Sequence, residues 1–85
     1  EASFAELQAR IGKVKAYVEG YTPERLVGAE TRSLILKQRA GEMTLTGLDM
    51  ATLYSMPQFY FHLTTAYDIL RHNGVPLGKR DYMGV

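Results

Sequence analysis

The last third of the chain constrains the fold most, because it predicts a single long helix. Thr46 can cap the N-terminus of this helix, and the Asn-Gly-Val-Pro sequence at 73–76 ends it. From Leu48 to Asn73 such a helix would be about 39 Å long at about 1.5 Å per residue. A compact protein of 85 residues has a radius of gyration of only about 12 Å. The helix is therefore longer than the globule to which it would belong.

Apolar side chains cover most of the circumference of this predicted helix. One side carries Leu53, Met56, Phe59, Tyr60, Leu63, Tyr67 and Leu70, and the other sides carry Tyr54, Phe61 and Ile69. A helix that is hydrophobic on most sides must be buried on most sides, which one neighbouring helix cannot do. We therefore expect a partner, either a second copy of the chain in a homodimer or a segment that precedes it. The alternative is a loosely packed monomer in which the tyrosines form an amphipathic surface.

The first half of the chain predicts a helix and a hairpin. Ser3 and Glu6 form a capping-box pattern at the start of a helix that runs to Glu19 and ends at Gly20. A short helical turn is expected after Thr22-Pro23. Two short runs, 33–37 and 42–46, flank a glycine turn and predict a small β-hairpin. The apolar residues of the first helix are spaced as in a heptad seam: Phe4, Leu7, Ile11, Val14, Val18 and Tyr21.

These elements lead to one fold prediction for residues 1–85, which form a single but partial domain. We predict an all-α protein with two long helices, a short helix and a small β-hairpin. Such a chain would be half of a four-helix bundle, completed by a second copy or by a missing segment.

Composition excludes several classes of protein. The net charge of +1, with acidic and basic residues mixed along the chain, gives no basic patch for nucleic acid. No run of residues approaches the roughly 18 apolar residues of a membrane span. The absence of cysteine excludes disulfides and thiolate metal sites and favours a cytoplasmic protein.

The run from Pro57 to Tyr82 resembles the C-terminal helix and tail of an uncharacterised bacterial family in the DinB/YfiT-like superfamily of metalloenzymes. Residues 3–11 and 42–47 are similar to the middle portion of that family. The resemblance covers nearly all of the chain but only the second half of a typical member. It implies a DinB-like four-helix bundle whose first two helices precede the residues present here.

The resemblance also implies a candidate metal site. Superfamily members with an intact site bind a divalent metal, often zinc or nickel, through three histidines, two of which are four residues apart on the last helix. His62 matches the second of these two positions, whereas Gln58 stands at the first. A neutral amide is a poor substitute for imidazole on zinc. We therefore expect no intact three-histidine site, and His62 has a structural alternative as a hydrogen-bonded core residue.

Other residues of the long helix have two interpretations. Tyr60, Tyr67 and Met56 could line a pocket for a small apolar ligand, or they could be core and rim residues. His72 lies in the last turn, where a cation complements the helix dipole. We predict a DinB-like protein of unknown biochemical function. The alternative is a divalent-metal-dependent hydrolase or thiol transferase, and the sequence leaves open whether the protein is an enzyme.

Overall fold

The computed structural model describes all 85 residues, which form a mostly helical chain with one small sheet. Helix α1 spans Phe4–Glu19 and is followed by two 3-10 turns, Pro23–Leu26 and Ala29–Thr31. Strands β1 (Ser33–Gln38) and β2 (Gly41–Thr46) then form an antiparallel hairpin. Helices α2 (Gly47–Asp49), α3 (Met56–His72) and α4 (Lys79–Met83) complete the order, with a π-helical segment, Met50–Ser55, between α2 and α3.

The predicted N-terminal cap of α1 is confirmed. The Ser3 hydroxyl accepts a hydrogen bond from the Glu6 backbone N–H at 3.2 Å, and the Glu6 carboxylate accepts from the Ser3 N–H at 3.1 Å. Each bond occupies a backbone donor that the first turn of a helix leaves without a partner. Gly20 is the C-cap of the helix. The start and the end of α1 therefore follow from local sequence.

The β-hairpin joins the long helix through a close backbone junction. Thr46 ends β2, and its hydroxyl accepts from the Asp49 N–H at 3.1 Å, as expected of a helix cap. The Gly47 N–H donates to the Arg32 carbonyl at 2.9 Å. A Cβ at position 47 would overlap the Ala29 carbonyl, so only glycine fits there. Half-buried residues gather around this junction, namely Ala29, Leu34, Leu36, Leu45, Gly47, Asp49, Met50 and Tyr54.

The long helix, which we define as the continuous run of α2, the π-helical segment and α3, ends where the sequence predicts. The Val75 N–H donates to the Leu70 carbonyl, and the Gly74 N–H donates to the Arg71 carbonyl. Gly74 has a φ of 87°, in the left-handed region that glycine adopts at no steric cost. This hydrogen-bond pattern is a Schellman motif, which satisfies the last carbonyls of the helix.

The C-terminal tail folds back onto α3. The hydroxyls of Thr64 and Tyr82 are 2.9 Å apart, and the rings of Tyr67 and Tyr82 meet edge to face with centroids 5.5 Å apart. The Gly78 N–H donates to the Asp81 carboxylate at 2.7 Å and fixes the start of α4. We call this packed region, residues 64–82, the C-terminal clasp.

Away from the junction and the clasp, the chain has almost no interior. None of the 85 residues is buried. The accessible surface is 7647 Å², whereas a compact protein of 9.6 kDa exposes about 5,100 Å². The radius of gyration is 16.6 Å instead of the roughly 12 Å of a compact chain of this length.

The prediction of an all-α fold that is half of a four-helix bundle is wrong. The structure is mixed, because the hairpin is a regular two-stranded sheet of six paired positions. Helix α1 forms no packed interface with any other element, and all of its residues are exposed. The periodicity of α1 and the long helix shows that both need burial, but it does not show that they pack on each other. No helix has the length and apolar character that crossing a membrane requires.

Candidate functional site

His62 and Gln58 lie one turn apart on the middle of α3. Both side chains are exposed. The His62 ring meets the neighbouring Phe61 ring edge to face, with centroids 5.2 Å apart. Because residues four apart share a helix face, the imidazole and the amide are presented on the same side of α3. The structure therefore places the two predicted site residues together on a surface that no other part of the chain covers.

The donor set on this face does not fit a metal ion by itself. Zinc sites use three or four imidazole, thiolate or carboxylate ligands. No three His, Cys, Asp or Glu side chains of this chain lie close enough to share one ion. Gln58 offers a neutral amide, and His72, the second histidine, lies about 15 Å further along the helix. A divalent metal at His62 would therefore need ligands from outside these residues.

A concavity adjoins Gln58 on the N-terminal side of α3. It has a volume of about 320 Å³ and is lined by Leu53, Tyr54, Pro57, Gln58 and Phe61. These residues belong to the π-helical segment and to the first turns of α3. None of them carries a charge, so the concavity combines apolar walls with one amide and one phenol hydroxyl.

The structure does not bring Met56, Tyr60 and Tyr67 into one cavity. Met56 and Tyr60 are about half exposed, at 51% and 48%, and the Tyr60 ring contacts Phe59 edge to face with centroids 5.4 Å apart. Tyr67 lines a separate concavity of about 200 Å³ between α3 and α4. Its hydroxyl accepts a hydrogen bond from Arg71 at 2.8 Å. A pocket that all three residues share stays a prediction.

One polar cluster was missed at the end of α1. The Tyr17 and Tyr21 hydroxyls are 2.7 Å apart, and the Arg25 guanidinium lies 4.3 Å from the centroid of the Tyr21 ring. The hydrogen bond to Tyr21, together with charge repulsion from the ionised Tyr21, raises the pKa of Tyr17. The i, i+4 spacing of the two tyrosines, followed by an arginine four residues later, is the signal that could have identified this cluster.

A sequence family described as a domain of unknown function (DUF1993) matches residues 1–83. The chain belongs to this family. Because the function of this domain is unknown, membership shows to which proteins the chain is related but does not indicate a reaction. No protein of curated function has a significant match.

This DUF1993 chain is also similar to a solved structure. A crystal structure of a DinB family member protein from Shewanella denitrificans has 44% sequence identity to it and superposes with a TM-score of 0.89. The alignment covers 100% of this chain and 47% of the other chain. The chain therefore spans about half the length of this relative. The comparison confirms the predicted DinB-like relationship.

Proposed function

We propose that this chain is the C-terminal half of a DinB-like protein and that the other half of the same polypeptide covers its apolar surface. The observation that carries the proposal is that no residue of this chain is buried. The relative that shares its chain path is about twice as long, so it has a further segment that could provide this burial. The tail from Gly74 to Tyr82, which resembles the C-terminal end of superfamily members, supports placement in the second half. A second copy of the chain is the alternative partner.

The amount of exposed surface agrees with a permanent interface. The chain exposes 7647 Å², which is roughly 2,500 Å² more than a compact protein of its mass. Permanent interfaces bury about 2,000–5,000 Å² in total over both partners, so an excess of this size on one partner corresponds to the upper end of that range, and such interfaces resemble a domain core cut in half. Removing apolar surface from water is the main favourable term in such an association.

The exposed apolar residues are arranged as an interface requires. On α1, and at Tyr21 just beyond its end, they recur every three or four residues and therefore form one stripe, and every member of the stripe is exposed. On α3 they face several directions. We call the first set the α1 stripe; its members and exposures are Phe4 87%, Leu7 44%, Ile11 59%, Val14 53%, Val18 60% and Tyr21 45%.

The assembled protein then functions without a three-histidine metal centre in this half. Gln58 occupies the position at which the resemblance implies a histidine ligand, and no carboxylate or imidazole beside it completes a site with His62. An amide can both donate and accept hydrogen bonds with a neutral ligand, whereas a metal-bound imidazole keeps one N–H donor and has no acceptor. The long helix therefore contributes the wall of a binding site rather than catalytic metal ligands.

Elemental analysis of the full-length natural protein tests this function. We expect no stoichiometric zinc, nickel or manganese after purification without chelator. His62→Ala is the test variant, and His72→Ala is the matched control, since it removes the other histidine at the far end of α3. One metal ion per chain that is lost in His62→Ala and kept in His72→Ala would contradict the proposal.

The second candidate function is that of a divalent-metal-dependent hydrolase or thiol transferase. It is favoured by the exposure of His62, because residues from another segment can reach its imidazole. Gln58→His gives a further test, since two imidazoles four residues apart can bind one zinc ion together. Zinc binding by this variant, but not by the natural protein, would indicate that Gln58 prevents metal binding. That outcome would count against the metal-dependent enzyme.

A further inference from the structure

We propose that the α1 stripe docks one helix of the other half of the polypeptide, and that acidic residues on that helix face Arg10 and Lys15. The inference rests on the proposed function and deepens it, because it names the kind of segment that covers α1. Three observations carry it: the spacing of the stripe, the charges that border it, and the distribution of acidic residues in the rest of the chain.

The spacing of the α1 stripe fits a helix as the covering element. Its six apolar residues alternate between steps of three and four residues from Phe4 to Tyr21, which is the pattern of a coiled-coil seam. In such a seam each side chain of one helix enters a hole formed by four residues of the other. On α1, a concavity is lined by the four residues Arg10, Ile11, Val14 and Lys15. The side chains of a strand repeat every two residues and would not match this spacing.

The charged residues that border the α1 stripe are both basic. In a heptad seam, one position on each side of the helix borders the apolar positions. Along α1 and its N-cap, the bordering residues are Ser3, Gln8, Arg10, Lys15 and Tyr17. The acidic residues of α1, Glu6 and Glu19, lie further around the helix. The stripe is therefore an apolar seam with one positive charge on each side.

Both cations remain accessible to a further partner. The Arg10 guanidinium lies 2.6 Å from the Glu1 carboxylate, and the Lys15 ammonium lies 3.8 Å from the Glu19 carboxylate. The Arg10 and Lys15 side chains are nevertheless 67% and 73% exposed. Ion pairs at such exposed positions are weak. Once a helix covers the stripe and excludes water beside it, each cation is stabilised by a carboxylate on that helix.

A second copy of this chain offers no matching set of carboxylates. If two α1 stripes met, their bordering residues would face each other and bring together only positive charges. The long helix has only two acidic residues, Asp49 and Asp68, which are nineteen residues apart. Arg10 and Lys15 are only five residues apart. More than half of the similar DinB family member lies outside the aligned segment, and the covering helix belongs to the corresponding part of this protein.

Zero-length carbodiimide cross-linking of the full-length natural protein tests the inference, because it joins a lysine amine to a carboxylate only when the two are in contact. Peptide mass spectrometry on a mixture of isotope-labelled and unlabelled protein separates links within one molecule from links between two. We expect a link from Lys15 to an aspartate or glutamate of the other half within one molecule. Lys37 and Glu42, 3.9 Å apart in the hairpin, are the positive control. Lys13, which lies on α1 away from the stripe, should give no such link.

Lys15→Gln measures what this pairing contributes to the stability of the full-length protein. In urea unfolding at low salt, it should raise the equilibrium constant of unfolding about two- to fivefold, and the effect should shrink at high salt. Glu19→Gln is the matched control, because it removes the same ion pair within α1 and should have the smaller effect. Equal effects of the two variants would show that Glu19 is the only partner of Lys15 and would overturn the inference.

These outcomes separate the inference from the proposed function. A link from Lys15 to Glu19 alone would overturn the inference, but the proposed function would stand if Ile11→Ala destabilises the full-length protein, because another segment would then cover the stripe. If Ile11→Ala had no effect either, the proposed function would fail as well. A link from Lys15 to a carboxylate of a second molecule would overturn both, since a second copy would then be the partner of α1.

Discussion

Helix α1 and the junction between the hairpin and the long helix both begin at a side-chain cap, yet they differ in packing. The α1 stripe forms no packed interface with another helix or strand, and Phe4 within it is 87% exposed. At the junction, by contrast, Gly47 lies against the Ala29 carbonyl, and leucines of both adjoining strands are half-buried. The comparison teaches that caps and turns determine where an element forms, whereas apolar periodicity determines only that it must be covered. The junction uses contacts within the chain, whereas we propose that α1 uses contacts from another polypeptide surface.

The largest effect is expected from a substitution in the α1 stripe. In the full-length protein, our proposal places Ile11 against the other half, so Ile11→Ala should lower the free energy of unfolding by about 3 kcal/mol. Urea unfolding monitored by circular dichroism measures this. Gln8→Ala, on the same helix but outside the stripe, is the control. An Ile11→Ala variant as stable as Gln8→Ala would mean that the stripe stays exposed.

The junction offers a matched pair of glycine substitutions. Gly47→Ala should destabilise the full-length protein by about 2 kcal/mol, since the new Cβ overlaps a backbone carbonyl that cannot move aside. Gly12→Ala in α1 meets nothing within 4 Å and should stabilise the helix by about 0.5–1 kcal/mol. Changes of opposite sign in the free energy of unfolding, measured with urea, would support the difference in packing between the junction and α1. A destabilising Gly12→Ala would instead show that another segment approaches α1 closely at that point.

A smaller effect is expected in the C-terminal clasp. Tyr82→Phe removes the hydrogen bond with the Thr64 hydroxyl, which spans 2.9 Å, and should cost about 1 kcal/mol. Hydrogen exchange should quicken for residues 77–83 and stay unchanged at the hairpin. Equal acceleration in both regions would show that the clasp and the junction unfold together.

The smallest effect concerns the protonation of the tyrosine pair at the end of α1. The pKa of Tyr17 is raised above its ordinary value by the Tyr21 hydroxyl. A raised pKa means that the folded state favours the neutral phenol, so this contribution is present below the ordinary tyrosine pKa and is lost as the pH rises through the folded value. Tyr21→Phe should lower the pKa of Tyr17 in an ultraviolet absorbance titration. An unchanged pKa would show that the two hydroxyls do not interact in solution.

Sequence predicted the features that depend on neighbouring residues. Ser3 and Glu6 form the cap of α1, Thr46 caps the long helix, and Gly74 ends it, because each acts on a backbone group a few residues away. The hairpin followed from two short runs and a glycine turn. These predictions needed no knowledge of packing.

Sequence did not predict how the elements are arranged. The spacing of the α1 stripe is compatible with any apolar partner, so it could not indicate that α1 stays apart from the long helix. The π-helical turn at 50–55 depends on which backbone carbonyl accepts the hydrogen bond of the Met56 N–H, and that acceptor is the Ala51 carbonyl. For the site, sequence placed Gln58 and His62 on one face of α3, but it did not predict the concavity that residues of the π-helical segment and of α3 line beside Gln58.

The central claim is that this chain cannot cover its apolar helices without another polypeptide surface. Size-exclusion chromatography with light scattering on residues 1–85 alone, combined with urea unfolding, tests it most directly. We expect either a self-associated species or a monomer that unfolds without a cooperative transition. A monodisperse monomer with a sharp, cooperative transition would contradict the claim.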